Sequence, residues 1–231
     1  MQKKVMTAVV ALAMGAALAG NALAGNVVGV VKYAGTAPAP KKIEKTKDTE
    51  VCGMVPNTAE DLLVGAGGSL KNAVVIVNVP GAKPMPAPAA PAAIDQKGCW
   101  FVPHIQIVAV GQKVEIRNDD GILHNIHTTS KVNPAINKAQ PKFLKVISQQ
   151  WDKPEIVKLA CDVHNWMSGW VVVAAHSYYA MTGADGSFRI QDVPPGTYDI
   201  KYWHEKLGEQ TGKVTVTASG DAKADFSYPA K

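Results

Sequence analysis

An all-β fold is predicted by three features of this sequence. Runs of β-branched residues recur along the chain, Gly, Pro, Asn and Asp separate them, and the apolar spacing typical of helices is nearly absent. The 231 residues are enough for one large or two small β domains with apolar cores. The runs that we interpret as strands are 27–33, 73–79, 105–110, 113–118, 155–161 and 169–175.

The first 24 residues have the pattern of a secretory signal peptide. Lys3 and Lys4 precede an apolar stretch, and the small-residue sequence Ala22-Leu23-Ala24 follows it. We expect cleavage after Ala24 and a mature protein that is periplasmic or secreted. The alternative is an uncleaved membrane anchor, but the apolar stretch is shorter than the roughly 20 residues that span a bilayer. We expect no membrane span in the rest of the chain.

The charge of the chain is mildly basic and thinly spread. Loss of the signal peptide lowers the formal net charge from +5 to +3. The densest run of lysines, residues 41–47, is interrupted by Glu44. This pattern does not predict a nucleic-acid surface. We interpret the run as a solvated loop or edge, with a docking patch for an acidic partner as the alternative.

Turns and loops separate the predicted strands. The strands at 105–110 and 113–118 are joined by a tight turn at Gly111-Gln112, which places His124 at the start of the next strand. Two irregular segments interrupt the pattern, one at residues 41–68 and a Pro/Ala-rich one at 80–93. The second is too poor in side chains for a core and is expected to form an extended surface loop.

The segment LACDVHNWMSGW places Cys161, His164 and Met167 at a spacing of three residues. A thiolate, an imidazole and a thioether are ligands that suit copper in both oxidation states. A further imidazole would come from a distant strand, and NDDGILHNIHTT offers His124 directly before Asn125. Two His, one Cys and a weak axial Met are the ligands of a blue-copper electron-transfer site.

Taken together, these two segments resemble the cupredoxins, the family of plastocyanin, pseudoazurin and amicyanin, over roughly residues 101–174. The resemblance implies a Greek-key β sandwich that is not an enzyme and that carries single electrons between redox protein partners, such as a cytochrome or an oxidoreductase. The alternative is a periplasmic protein that binds or delivers copper without transferring electrons. The resemblance implies one copper ion per chain with four ligands: His124, Cys161, His164 and Met167.

Two asparagines near these ligands also bear on the resemblance. In cupredoxins the residue at the place of Asn125 commonly joins the two ligand segments, and the resemblance implies this role here. Asn165 stands where amicyanin-like loops usually carry Pro. Because Pro restricts the backbone and lacks an N–H, this departure concerns the stiffness of the loop and not the ligand set.

The three cysteines are an odd number for an exported protein. Pairing Cys52 with Cys99 would leave Cys161 as the free thiolate that a metal needs. The competing pairings, Cys52 or Cys99 with Cys161, would destroy the proposed site. We expect the Cys52–Cys99 disulfide, which would restrain the unfolded chain by a few kcal/mol.

The remaining histidines raise the question of a second metal site. His127 follows His124 by three positions and would face away from it on a strand. His127 and His104 are the candidates for such a site, with His176 and His204 as further ones. The alternative for each of these histidines is an ordinary polar role in a loop or at a strand end, without metal binding.

The C-terminal segment differs in character from the rest of the chain. Residues 184–198, ADGSFRIQDVPPGTY, resemble the carboxypeptidase regulatory-like domain, a small transthyretin-like β sandwich that serves as a structural or interaction module. We place the copper-binding domain at residues 25–176 and this second domain at 177–231. Because the second segment is short for such a sandwich, strands from residues 25–80 could complete it and interleave the two domains.

Overall fold

The computed structural model describes residues 24–39, 41–55 and 58–230 and confirms the all-β prediction. Of the predicted signal peptide, only Ala24 lies within the described residues. Among the described residues, no helix is long and apolar enough to cross a membrane. The helical elements in this part of the chain are α1 (Thr49–Cys52) and a 3-10 turn (Ala66–Gly68).

The described strands are two to nine residues long. In chain order the described strands are β1 (Gly25–Tyr33), β2 (Val74–Asn78), β3 (Ala92–Gln96), β4 (Phe101–Val102), β5 (Ile105–Ala109), β6 (Val114–Asn118), β7 (His124–Thr129), β8 (Asn137–Gln140), β9 (Val146–Gln149), β10 (Glu155–Ala160), β11 (Ser168–Ala174), β12 (Tyr179–Met181), β13 (Ser187–Val193), β14 (Gly196–His204), β15 (Gly208–Val216), β16 (Asp221–Lys223) and β17 (Phe226–Tyr228).

Strands β3 to β11 form a β sandwich that we call the central sandwich. One sheet has the order β5-β11-β10-β7-β8, and the facing sheet has the order β4-β3-β6-β9. Alternate apolar side chains point into a shared core, as expected for strands with one buried face. This core includes Ile94, Ile116, Ile126 and Leu159, all fully buried.

The remaining strands form the outer sandwich, which draws on both ends of the chain. One sheet has the order β13-β1-β16 with β17 also on β1, and the other has the order β12-β2-β14-β15. β1 pairs antiparallel with β13 and parallel with β16 and β17. The central sandwich is therefore an insertion between β2 and β12. Strands from the segment before residue 80 pair with strands of the C-terminal segment.

The two sandwiches pack against each other through apolar side chains of β2 and β11. Val75 and Val77 of β2 point into the core of the outer sandwich, whereas Val74 and Ile76 contact a separate buried cluster with Val172 of β11. Both faces of β2 are thus covered. This explains its continuous apolar sequence, because a strand that is buried on both faces does not need polar alternation.

The turn at Gly111-Gln112 does not close a hairpin. Gly111 has a positive φ of 75°, and the backbone N–H of Gln112 donates to the carbonyl of Ala109 at 3.1 Å. The strand before the turn, β5, lies beside β11, whereas the strand after it, β6, lies in the opposite sheet between β3 and β9. The expected tight turn is present, but it carries the chain from one sheet to the other.

The predicted loops contain some pairing. β3 begins at Ala92 and runs parallel to β6, so the last positions of the predicted loop 80–93 belong to a strand. Within the same loop, Pro84 forms an isolated bridge with His176. In the segment 41–68, the short helix α1 begins after Asp48.

The buried His204 in the outer sandwich leads to a prediction about acid stability. Its side chain is almost fully buried, and burial lowers its pKa from 6.5 to about 4. A histidine with a lowered folded-state pKa contributes its full stability above the unfolded pKa and loses it as the pH falls toward 4. We expect the folded state to lose about 2 kcal/mol from this group between pH 7 and pH 5.

Urea unfolding of the parent and of His204→Phe at both pH values tests this expectation. The ring of Phe retains most of the packing but cannot take up a proton. The variant is expected to show a smaller decrease in the free energy of unfolding between pH 7 and pH 5. Equal decreases in the two proteins would contradict this role of His204.

Candidate metal centre

The pairing of β7 with β10 places two of the predicted ligands side by side. His127 lies opposite Ala160 in this antiparallel pair. His124 is the first residue of β7, and Cys161 directly follows the last residue of β10. Both residues therefore lie at the same end of one sheet.

The loop between β10 and β11 brings the third ligand to the same place. The backbone N–H of Met167 donates to the carbonyl of His164 at 2.9 Å, and the N–H of Cys161 donates to the carbonyl of Met167 at 3.4 Å. Because Ala160 pairs with Ser168, the seven-residue loop closes on itself. This closure turns His164 back toward Cys161.

Three donor atoms converge at this end of the sheet. The Sγ of Cys161 lies 3.9 Å from Nδ1 of His124 and 3.8 Å from Nδ1 of His164, and the two Nδ1 atoms are 3.0 Å apart. A point equidistant from the three atoms is about 2.1 Å from each. Bonds from His nitrogen and Cys sulfur to a first-row ion such as zinc are about 2.0–2.1 Å and 2.3 Å long. The three atoms therefore fit a single metal ion.

All four predicted ligands are shielded from solvent. His124 and His164 are fully buried, and Cys161 and Met167 have exposed fractions of 2% and 1%. The side chain of Met167 belongs to the same apolar cluster as that of Cys161. A metal ion bound here would be enclosed by protein.

A carboxylate holds the outer nitrogen of His124. Nε2 of the ring donates to Oδ2 of Asp120 at 2.9 Å. The same carboxylate accepts hydrogen bonds from the backbone N–H groups of Gly98 at 2.5 Å and Cys99 at 2.8 Å. With a proton on Nε2, the lone pair of Nδ1 points toward Cys161. A carboxylate on the outer nitrogen is the common arrangement for histidines that bind metals.

His164 has the same kind of partner from a distant part of the chain. Its Nε2 donates to Oδ2 of Asp48 at 2.8 Å. Asp48 precedes α1 and has a left-handed backbone conformation, with φ 48° and ψ 47°. The ring of Trp166 packs against the imidazole of His164 at a centroid distance of 5.2 Å.

The electrostatics of the site favour a deprotonated sulfur. Burial raises the pKa of the Cys161 thiol, but hydrogen bonds from His124 and from the backbone near Asn125 and His164 outweigh it, so the pKa is lowered overall. Burial likewise lowers the pKa of His124, but hydrogen bonds to Asp120 and Cys161 raise it to about 9. Burial lowers the pKa of His164. The surroundings of Cys161 thus favour loss of the thiol proton, which leaves the thiolate that a metal ligand requires.

The structure joins Cys52 to Cys99 by a disulfide and leaves Cys161 as a free thiol. The two disulfide sulfurs and a nitrogen of His164 all lie within 4.8 Å of one another. The disulfide thus lies directly beside the site. It connects the segment that carries Asp48 to the segment whose backbone holds Asp120.

A polar network around Asn125 joins the two ligand segments. The backbone N–H of Asp162 donates to Oδ1 of Asn125 at 2.5 Å, and the amide of Asn125 donates to Asn137 at 2.7 Å. The amide of Asn137 in turn donates to the carboxylate of Asp162 at 2.8 Å. Asn125 therefore connects the strand of His124 to the loop that follows Cys161.

The histidines considered for a second site have other partners. His127 is 43% exposed, and its Nδ1 hydrogen-bonds to Asp162 at 2.9 Å. His104 is buried and pairs with Glu205, with Glu60 3.9 Å away on its other side. Among the described residues, no group of three or more converging His, Cys, Asp or Glu ligands includes His127 or His104.

Sequence reasoning missed the two carboxylates that hold the imidazoles. Asp120 could have been found, because it precedes His124 by four residues in the same motif. No sequence pattern pointed to Asp48 as a partner of His164, because 116 positions separate the two residues. The two tryptophans near the loop also differ: Trp166 covers His164, whereas Trp170 packs against Trp203 at the contact between the sandwiches.

Comparison with known families gives a match in the C-terminal half of the chain. Residues 152–224 match the family described as "Polysaccharide lyase family 4, domain II". This is not the carboxypeptidase regulatory-like family that the sequence resembles. The matched region begins before the ligand loop and therefore includes strands of both sandwiches. No curated protein matches the chain.

Several solved structures are similar to part of the chain. A Cu-containing nitrite reductase from Thermus scotoductus has 21% identity and a TM-score of 0.33, over 40% of this chain and 25% of its own length. A purple cupredoxin from Nitrosopumilus maritimus has 22% identity and a TM-score of 0.30, over 36% and 99%. An oxidised amicyanin variant has 22% identity and a TM-score of 0.34, over 42% and 98%. The chain thus covers a quarter of the nitrite reductase.

The hydrogen bonds of Asn125 lead to a prediction about stability. Replacement by Ala removes the acceptor for the N–H of Asp162 and separates the two ligand segments. We expect Asn125→Ala to lower the free energy of unfolding of the metal-free protein by about 1–3 kcal/mol, measured by urea unfolding.

The matched control is Asn26→Ala, which removes an exposed amide bonded to Asp221 in the outer sandwich. That change is expected to cost about 0.5 kcal/mol or less. Losses of similar size in the two variants would show that Asn125 does not join the ligand segments.

Proposed function

We propose that this protein is an exported type 1 copper protein that carries single electrons between redox partners. The convergence of Cys161 Sγ with the Nδ1 atoms of His124 and His164, beside the buried Met167, is the observation that carries this proposal. One copper ion per chain would be held by these four residues. Copper supplies one-electron exchange between its two oxidation states.

The donor set favours copper over zinc. Zinc in proteins is held by Cys, His and carboxylate ligands. In this site the carboxylates of Asp48 and Asp120 bind the outer ring nitrogens, so they do not face the centre. The fourth side chain is the thioether of Met167. Thioethers and thiolates are soft ligands, which is the donor chemistry typical of blue-copper sites.

The enclosure of the ligands supports electron transfer. Ligands that are buried and hydrogen-bonded move little, which keeps the coordination similar in both oxidation states. The outer edge of His164 is separated from the surface by a single hydrogen bond to Asp48, whose side chain is 33% exposed. An electron could therefore leave through this ring while the site itself stays closed to water.

The same enclosure argues against delivery of copper to other proteins. Delivery requires incoming ligands to reach the metal and displace the resident ones. None of the four ligand side chains has an exposed fraction above 2%. A redox protein, such as a cytochrome or an oxidoreductase, is therefore the partner that we propose, and the signal-peptide pattern at residues 1–24 supports a periplasmic or secreted location.

Copper titration of the mature protein tests the proposal. We expect one Cu(II) per chain and an intense visible band from thiolate-to-copper charge transfer. Cys161→Ser removes the thiolate and is expected to abolish this band, whereas His127→Ala is expected to retain both the band and the stoichiometry. A second copper per chain, or colour that survives in Cys161→Ser, would overturn the assignment.

The role of Met167 is tested separately. Met167→Gln replaces the thioether by an amide oxygen, and the axial ligand tunes the reduction potential of such sites. The variant is expected to keep one copper and to shift its potential, measured by voltammetry. An unchanged potential would exclude Met167 as a ligand. Rapid loss of copper from the parent to a chelator would favour the delivery alternative.

A further inference from the structure

We propose that Asp48 is a positioning residue for the metal centre, which orients His164, closes its outer edge and lowers the reduction potential of the bound copper. This inference rests on the proposed function. It assigns a role at the site to a segment that is distant in sequence from the ligand motifs and is anchored by the Cys52–Cys99 disulfide. We call residues 48–52 the cap segment.

The contact between the cap segment and His164 is direct. Oδ2 of Asp48 lies 2.8 Å from Nε2 of His164, whose side chain is fully buried. Asp48 itself remains 33% exposed, so it stands between the imidazole and solvent. Removing the carboxylate would open the outer nitrogen of His164 to water.

The backbone of the cap segment fixes the position of Asp48. Its carbonyl accepts hydrogen bonds from the N–H groups of Val51 at 3.0 Å and Cys52 at 2.8 Å. Cys52 is covalently joined to Cys99, and the ammonium of Lys45 donates to the carbonyl of Cys52 at 2.8 Å. Asp48 has a left-handed backbone conformation, which Asp adopts more readily than most residues other than Gly. The hydrogen bonds and the disulfide therefore hold Asp48 in place at the start of the turn.

The Cys52–Cys99 disulfide thus helps to position the carboxylate partners of both histidines. On one side Cys52 closes the turn that presents Asp48 to His164, and on the other side the N–H of Cys99 donates to Asp120, the partner of His124. Asp120 is nearly buried and has two backbone donors besides His124. Asp48 is the more exposed of the two carboxylates, so it can be replaced with less disturbance of the core.

The carboxylate of Asp48 acts on the copper through the imidazole. By accepting the Nε2–H proton, it fixes the tautomer of His164 that leaves a lone pair on Nδ1, and it makes the ring a stronger donor. A negative charge near the metal also favours the more highly charged oxidation state, Cu(II), over Cu(I). Both effects lower the reduction potential.

Asp48→Asn is the test variant, with Glu50→Gln as its matched control. Asn tolerates the left-handed conformation as Asp does, so the turn is retained while the charge is lost. Glu50 is an exposed carboxylate in the same turn, and its replacement removes the same charge. Asp48→Glu, which restores the charge, completes the set.

The reduction potential, the affinity for Cu(II) and the tautomer of His164 in the metal-free protein are then compared. We expect Asp48→Asn to raise the potential and to weaken Cu(II) binding by roughly 10-fold or more. Because the amide oxygen of Asn can still accept the Nε2–H bond, the tautomer is tested in Asp48→Ala, which removes the acceptor and is expected to lose the single Nε2–H tautomer in nitrogen NMR spectra. Glu50→Gln is expected to leave the tautomer and affinity unchanged. Asp48→Glu is expected to return the potential toward that of the parent.

Equal changes in Asp48→Asn and Glu50→Gln would overturn the inference, because they would show only the effect of net charge. Failure of the proposed function has a different signature, the absence of a thiolate-to-copper band in the parent. In that case the tautomer of His164 still decides the positioning role: retention of the single tautomer in Asp48→Ala, which has no acceptor at this place, would overturn that role as well.

Discussion

Two imidazole rings and a thiol are buried at one end of the central sandwich, and each ring nitrogen that faces away from the thiol needs a hydrogen-bond partner. Asp120 and Asp48 meet this need at His124 and His164. Each carboxylate in turn needs donors or water. Asp120 accepts hydrogen bonds from the backbone N–H groups of Gly98 and Cys99, and Asp48 keeps part of its surface in solvent. The burial of the ligands thus determines much of the surrounding structure.

The packing of the sheets holds the ligand loop in place. β11 begins at Ser168, directly after the ligand loop, and its Val172 packs on β2 of the outer sandwich. The strand that follows the loop is therefore held on both sides, by β10 and β5 in its own sheet and by the second sandwich across its face. The central sandwich is inserted between β2 and β12, which both belong to the outer sandwich. Both ends of the inserted segment are therefore attached to the outer sandwich. The scaffold restrains the loop at both of its ends.

Local patterns in the sequence predicted the features that depend on local chemistry. The spacing of Cys161, His164 and Met167 places three donors in one short loop, and β-branched runs mark the main strands. Features that depend on distant contacts could not be predicted in this way. The contact of Asp48 with His164 joins residues 116 positions apart, and the turn at Gly111-Gln112 leads to the opposite sheet although its sequence is typical of a hairpin. Neither the contact of Asp48 with His164 nor the crossing between sheets gives a periodic or spacing signal in the sequence.

The closure of both imidazole edges bears on the kind of chemistry that the centre can support. Exchange of a metal between proteins proceeds through ligand substitution, so it needs an open ligand edge, whereas electron transfer proceeds through bonds and short gaps and does not. In this molecule the outer nitrogen of His164 is covered by a carboxylate and its ring by Trp166. The carboxylate nevertheless reaches the surface. This closed geometry fits the proposed electron-transfer role better than delivery of the metal, because one ring and one hydrogen bond separate the Nδ1 donor from an exposed side chain.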